Sequence, residues 1–99
     1  MPFKPLSDGE VLAQVRALAR AGKAVPTNHL RERMELRQID WGQVVECLKL
    51  GRFVERPTIP NRSGAVCYEF KMGGVFDGEA VAVAAALYPE RRVIVMTTM

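Results

Sequence analysis

Apolar residues recur at helical spacing through the first half of the chain and at alternate positions through the second, so the sequence divides near Arg52 into two kinds of structure. Ser7 and Glu10 stand three apart just before Val11, Leu12, Val15, Leu18 and Ala19, which predicts a capping box opening an amphipathic helix that stops at Gly22. Gly22 to Pro26 reads as a short connector, and Thr27 or Asn28 caps a second helix running to about Ile39. Asp40 to Gln43 repeats the capping-box pattern, with Val44, Val45 and Leu48 on one stripe and Gly51 at the end of a third helix.

Beyond Arg52 the period falls to two. Phe53–Glu55 reads as a first strand ended by Pro57, and residues 60–64 (Pro-Asn-Arg-Ser-Gly) carry loop chemistry. Ala65 to Met72 predicts a second strand with Val66, Tyr68, Phe70 and Met72 on one face, closed by a turn at Gly73–Gly74. Glu79 to Tyr88 alternates Val81, Val83, Ala85 and Leu87 against Ala80, Ala82, Ala84 and Ala86. Its alanines also suit a helix, but the β-prone Val93–Thr98 segment needs a hairpin partner across the Pro89–Arg91 turn, which favours a strand. The expectation is an α+β fold: one domain over residues 1–99, with about three N-terminal helices packed on a C-terminal antiparallel sheet of about four strands.

Ninety-nine residues, 48% of them hydrophobic, supply one core and not two. A formal charge of +3 leans weakly toward a polyanionic partner. Cys47 and Cys67 are too few and too far apart for a zinc motif or a disulfide framework, and read as free thiols of a reducing cytosol. The first residues lack the apolar stretch of a secretory signal, and no apolar run reaches the ~18 residues of a membrane span, so a cytoplasmic location is expected.

Candidate chemistry concentrates in the second helix. His29, Arg33 and Arg37 fall at i, i+4 and i+8, within about an 80° arc bordered by Leu36 on one side and by Leu30 and Met34 on the other, so the row is expected to point toward the core. A guanidinium there keeps its charge and needs a carboxylate, a route to water or an anionic ligand. In the structural version, Arg33 and Arg37 pair with Glu55, Glu69 or Asp40 and His29 helps cap the helix. In the functional version, an imidazole and two fixed cations on a rigid element provide proton transfer and phosphate binding for phosphodiester cleavage without a metal. No carboxylate cluster, His-Glu-x-x-His or Cys-x-x-Cys suggests a bound metal or other cofactor, and neither serine nor cysteine sits in a nucleophile motif.

A helical His29-x3-Arg33-Met34-x2-Arg37-x-Ile39, a short helix ending with Leu48 and Gly51, a charged first strand with Glu55, then Tyr68 and a final Val93-x-Val95-x-Thr97 resemble a small bacterial domain family. That family is placed with the RelE/ParE-like toxins, within the broader barnase/colicin-type ribonuclease fold. The resemblance runs from about Thr27 to the C-terminus, and the added first helix is similar to the MqsR-type layout. It implies a toxin of a type II toxin–antitoxin pair: a metal-independent endoribonuclease that cleaves mRNA, free or ribosome-bound, by 2′-hydroxyl attack, and is restrained by an antitoxin protein. In that scheme His29 is the general base or acid, Arg33 and Arg37 hold the scissile phosphate, Tyr68 offers a second hydroxyl, and Glu55 fixes an arginine. Two alternatives stand beside it: a binding module of the same fold without chemistry, for a protein or nucleic-acid partner, and a gyrase-directed toxin of the ParE kind. Arg62, Arg91 and Arg92 read as solvated charge near any bound backbone.

Overall fold

The computed structural model describes residues 4–60 and 65–98. Helix α1 (Asp8–Arg20) opens with the capping box, in which the Ser7 hydroxyl accepts from the Glu10 N–H and the Glu10 carboxylate accepts from the Ser7 N–H. The short strand β1 (Ala24–Pro26) follows, then α2 (Asn28–Arg37) and α3 (Trp41–Leu50). α3 has the second capping box, between Asp40 and Gln43. Strands β2 (Arg52–Thr58), β3 (Tyr68–Phe76), β4 (Glu79–Tyr88) and β5 (Arg92–Thr98) complete the chain.

Helices do precede strands, but the sheet has five members in the order β1-β5-β4-β3-β2 and is mixed, because β1 pairs parallel to β5 while the other neighbours are antiparallel. The expected four-stranded, wholly antiparallel sheet is therefore corrected by the segment read as a connector. Three residues are too few for an alternation to register. Ala24 and Val25 instead gain their strand geometry from the ladder offered by Val93 and Ile94.

Two further boundaries differ. Gly73 and Gly74 lie inside β3 and not at a turn, and the reversal comes at Asp77–Gly78, whose φ values of 53° and 77° are those of a two-residue hairpin with both central residues left-handed. Asp-Gly supplies that geometry at little strain, whereas Gly73–Gly74 lets neighbouring groups come close: a Cβ on Gly74 would sit 2.7 Å from the Phe76 ring. β2 continues through Pro57, which an edge strand tolerates because its N–H is not needed in the ladder.

The core lies on one face of the sheet. Val11, Val15, Leu18, Leu30, Val44, Cys47 and Leu48 from the helices meet Tyr68, Phe70, Met72, Val81, Val83, Ala85, Leu87, Val93 and Val95 from the strands. Leu12 and Met34 pack at its margin. Val66, expected in the core, is 44% exposed, because it precedes β3 and has no ladder position to turn it inward. α2 crosses the end of the sheet: Thr27 bonds β5 at Val95 and Met96, and Gln43 at the start of α3 bonds the Phe76 carbonyl.

Candidate nucleic-acid interface

α2 is held from its N-terminus. The Thr27 hydroxyl accepts from the Leu30 N–H at 3.1 Å and donates to the Met96 carbonyl at 2.9 Å, while the Thr27 N–H donates to Val95 O. One residue thus caps the helix and ties it to β5. At the other end Gln38, left-handed at φ 55°, closes the helix, and the chain turns in to bury Ile39. Between these anchors only Leu30 is fully buried and Met34 half-buried, so α2 touches the body along a narrow line.

That narrow contact decides where the cationic row points. His29 and Arg37 are exposed, Arg33 is half-buried, and Leu36 is 76% exposed. The row therefore runs along the flank of α2, where it meets solvent, and not into the core. The expectation took Leu36 as a second core position and so rotated the buried face too far; Leu30 and Met34, about 40° apart on the wheel, define it alone.

None of His29, Arg33 and Arg37 forms an ion pair or side-chain hydrogen bond among the described residues. Glu55, expected to fix an arginine, bonds Lys71 at 3.1 Å on the sheet, and the Asp40 carboxylate is spent on the α3 cap. The carboxylate-paired version of the row is thus not what the fold builds. Arg33 is half-buried, with its Nε enclosed and without a hydrogen-bond partner.

Tyr68 does not join this row. Its side chain is 3% exposed, at the start of β3 opposite Leu87, and its hydroxyl accepts from the Leu6 N–H at 2.9 Å. It pins the segment leading into α1. In the sheet, the anchor of α2 lies two strands from β3 at Met96 and about three residues further along the ladder, which separates Thr27 from Tyr68 by roughly 15 Å. Arg91 and Arg92 are exposed near that opposite end, and Arg62 lies outside the described residues. No group of three or more metal-binding side chains gathers among the described residues.

The arrangement can do one thing well. Three nitrogen-rich side chains, one turn apart over roughly 12 Å of helix, present donors to a succession of anionic groups. The row lies on a convex helix flank, where two of its three side chains are exposed. Thr27, whose double role fixes the row in place, was legible in the sequence only as a cap, since its bond to β5 depends on β1. No protein-family model, curated protein or solved structure matches this chain.

Proposed function

We propose that this domain binds RNA through the sugar–phosphate backbone, using His29, Arg33 and Arg37 on the α2 flank as a row of phosphate contacts. The observation that carries the reading is the carboxylate-free, solvent-facing row on a helix anchored at both ends. Guanidiniums left without an internal partner are poised for bidentate contact with phosphate oxygens, and Arg33, already half-buried, has less side-chain freedom to lose on binding than a fully exposed arginine. A single strand suits a convex helix flank, because its backbone can curve to follow three successive turns.

This is the binding-module form of the RelE/ParE-like resemblance. The metal-free endoribonuclease form asks more of the same residues. Cleavage by 2′-hydroxyl attack needs a group to take a proton and a group to give one, and with Tyr68 enclosed in the core His29 would have to serve both steps. Binding needs only the row.

The direct experiment is fluorescence anisotropy of a labelled single-stranded RNA with the wild-type protein and with Arg33→Ala and Arg37→Ala. Each substitution is expected to weaken binding by about tenfold, in line with loss of one charge-assisted contact of ~1.5 kcal/mol. Wild-type affinity in both variants would defeat the proposal. The same samples, incubated in EDTA and analysed for 2′,3′-cyclic ends, test the further step: cleavage lost in His29→Ala would make the domain a toxin-type endoribonuclease, whose antitoxin then becomes the partner to seek.

A further inference from the structure

One end of the outward sheet face gathers cations around an aromatic ring. Leu87 and Val93 belong to the core, so their neighbours Tyr88 and Arg92, which pair across β4 and β5, lie on the opposite face. Lys23 takes the next position. It directly precedes β1, its carbonyl accepts from the Val93 N–H, and Ala24 pairs with Val93, so Lys23 stands at the level of Arg92. Lys23, Arg92 and Tyr88 thus form a line across the sheet, with neighbouring backbones about 4.8 Å apart. Arg91 closes the adjoining turn, where its N–H donates to the Tyr88 carbonyl at 2.9 Å. The turn is tied to α1, because the Gln14 side chain accepts from the Glu90 N–H.

Charge and shape both mark this end. Lys23, Arg91 and Arg92 are exposed, and the ion pairs of the described residues involve none of them. Two carboxylates lie nearby, Glu90 in the turn and Glu69 opposite Ala86, against the three cations. Tyr88 is half-buried, and the residues of β3 and β4 turn no other ring to this face. Beside it opens a concavity of about 260 Å³ whose walls include Val66, Pro89 and Arg91. That is less than the ~300 Å³ at which sites for drug-sized ligands begin, and suits a single flat ring. Val66, left exposed ahead of β3, gives the concavity an apolar wall.

We propose that this end of the sheet is a second contact for single-stranded RNA, in which one unpaired base stacks on Tyr88 and Lys23, Arg91 and Arg92 hold the phosphates beside it. The proposal rests on the reading of the α2 row as an RNA contact and extends it from backbone to base. A ring flanked by cations suits an unpaired nucleotide, since the ring face stacks on any base while the cations take the phosphates. A base inside a duplex is stacked on both faces and cannot enter, so the platform selects single strands. One strand can reach both contacts. Thr27 fixes α2 to β5 at Val95, three residues from Arg92, or about 10 Å along the strand. The edge between them is short, since β1 spans only Ala24–Pro26.

Fluorescence anisotropy with a labelled oligouridylate of about 12 nucleotides, and with an abasic ribose-phosphate strand of the same length, tests this. The wild-type chain is expected to bind the base-bearing strand about tenfold more tightly, the size of one base–aromatic stack. Tyr88→Val suits a strand but has no ring, and should bring the two affinities together with an unchanged circular-dichroism spectrum, while Tyr88→Phe keeps the preference. Lys23→Ala combined with Arg92→Ala should flatten the slope of log Kd against log salt by about 1.4. A wild-type chain indifferent to the bases, a Tyr88→Val chain that retains the preference, or a double variant with the wild-type slope would each overturn the proposal. Arg33→Ala and Arg37→Ala separate its fate from that of the row. Affinity lost in those variants beside a Tyr88→Val chain that behaves as wild type leaves the row and removes the platform, whereas the opposite pattern leaves the platform and removes the row.

Discussion

Thr27 does more for the candidate interface than any residue within it. Its hydroxyl donates to the Met96 carbonyl and accepts from the Leu30 N–H together, and valine can do neither. Thr27→Val should cost about 1–2 kcal/mol in chemical denaturation, while Thr27→Ser retains both bonds and most of the stability. The loss should also appear as weaker RNA binding, since α2 would no longer be fixed at the end that carries His29. Cys47 is a second residue with a measurable signature. Burial pushes its thiol from 9.0 up to about 11. An unfolded chain therefore ionises this thiol first, so its contribution to stability is complete below pH 9 and is lost as pH rises from 9 toward 11. The denaturation midpoint of Cys47→Ala should fall less between pH 8.5 and 10.5 than that of the wild type; an identical slope would count against the thiol as the source.

Among the elements, the helices were legible because their ends carry their own chemistry. Ser7–Glu10, Thr27 and Asp40–Gln43 each bond the first turn they precede, and those bonds need no tertiary partner. β4 was legible from the alternation of Val81, Val83, Ala85 and Leu87 with alanines over residues 80–87, and β5 from its β-branched content. β1 was not, because only β5 makes it a strand. Glycine pairs misled where Asp-Gly would have served: Asp77–Gly78 has the residue types that a tight hairpin demands, while Gly73 and Gly74 make room for Val54 and Phe76. The orientation of α2 was misread for a related reason, since Leu36 looks like a core position until the helix is known to touch the body along Leu30 and Met34 alone. One close approach between elements yields a sharp prediction. A Cβ on Gly51, where α3 hands over to β2, would lie 2.5 Å from Cys47 O and 2.9 Å from Gly73 O, both backbone atoms. Gly51→Ala should therefore force α3 and β3 apart and cost about 1–3 kcal/mol, read as a lowered thermal midpoint.

Over the whole molecule, the helices bury one face of the sheet, the α2 flank carries a cationic row without ion pairs among the described residues, and the other sheet face carries the outward alanines of β4 beside the Glu55–Lys71 salt bridge. Among the described residues no helix is long and apolar enough to cross a membrane. The residues of the row could be named from sequence, because helical spacing places i, i+4 and i+8 side by side whatever the tertiary structure. Their accessibility could not, because it depends on how little of α2 the body covers, and Tyr68 was grouped with them only before the ladder placed it elsewhere. The central claim is that this row binds RNA phosphates, and salt dependence tests it most directly. Single-strand binding weakens with salt at a logarithmic slope of about 0.7 for each phosphate contact, so replacing both Arg33 and Arg37 by alanine should flatten the slope of log Kd against log salt by about 1.4. A double variant that binds with the wild-type slope would place the phosphate contacts on another surface and contradict the account.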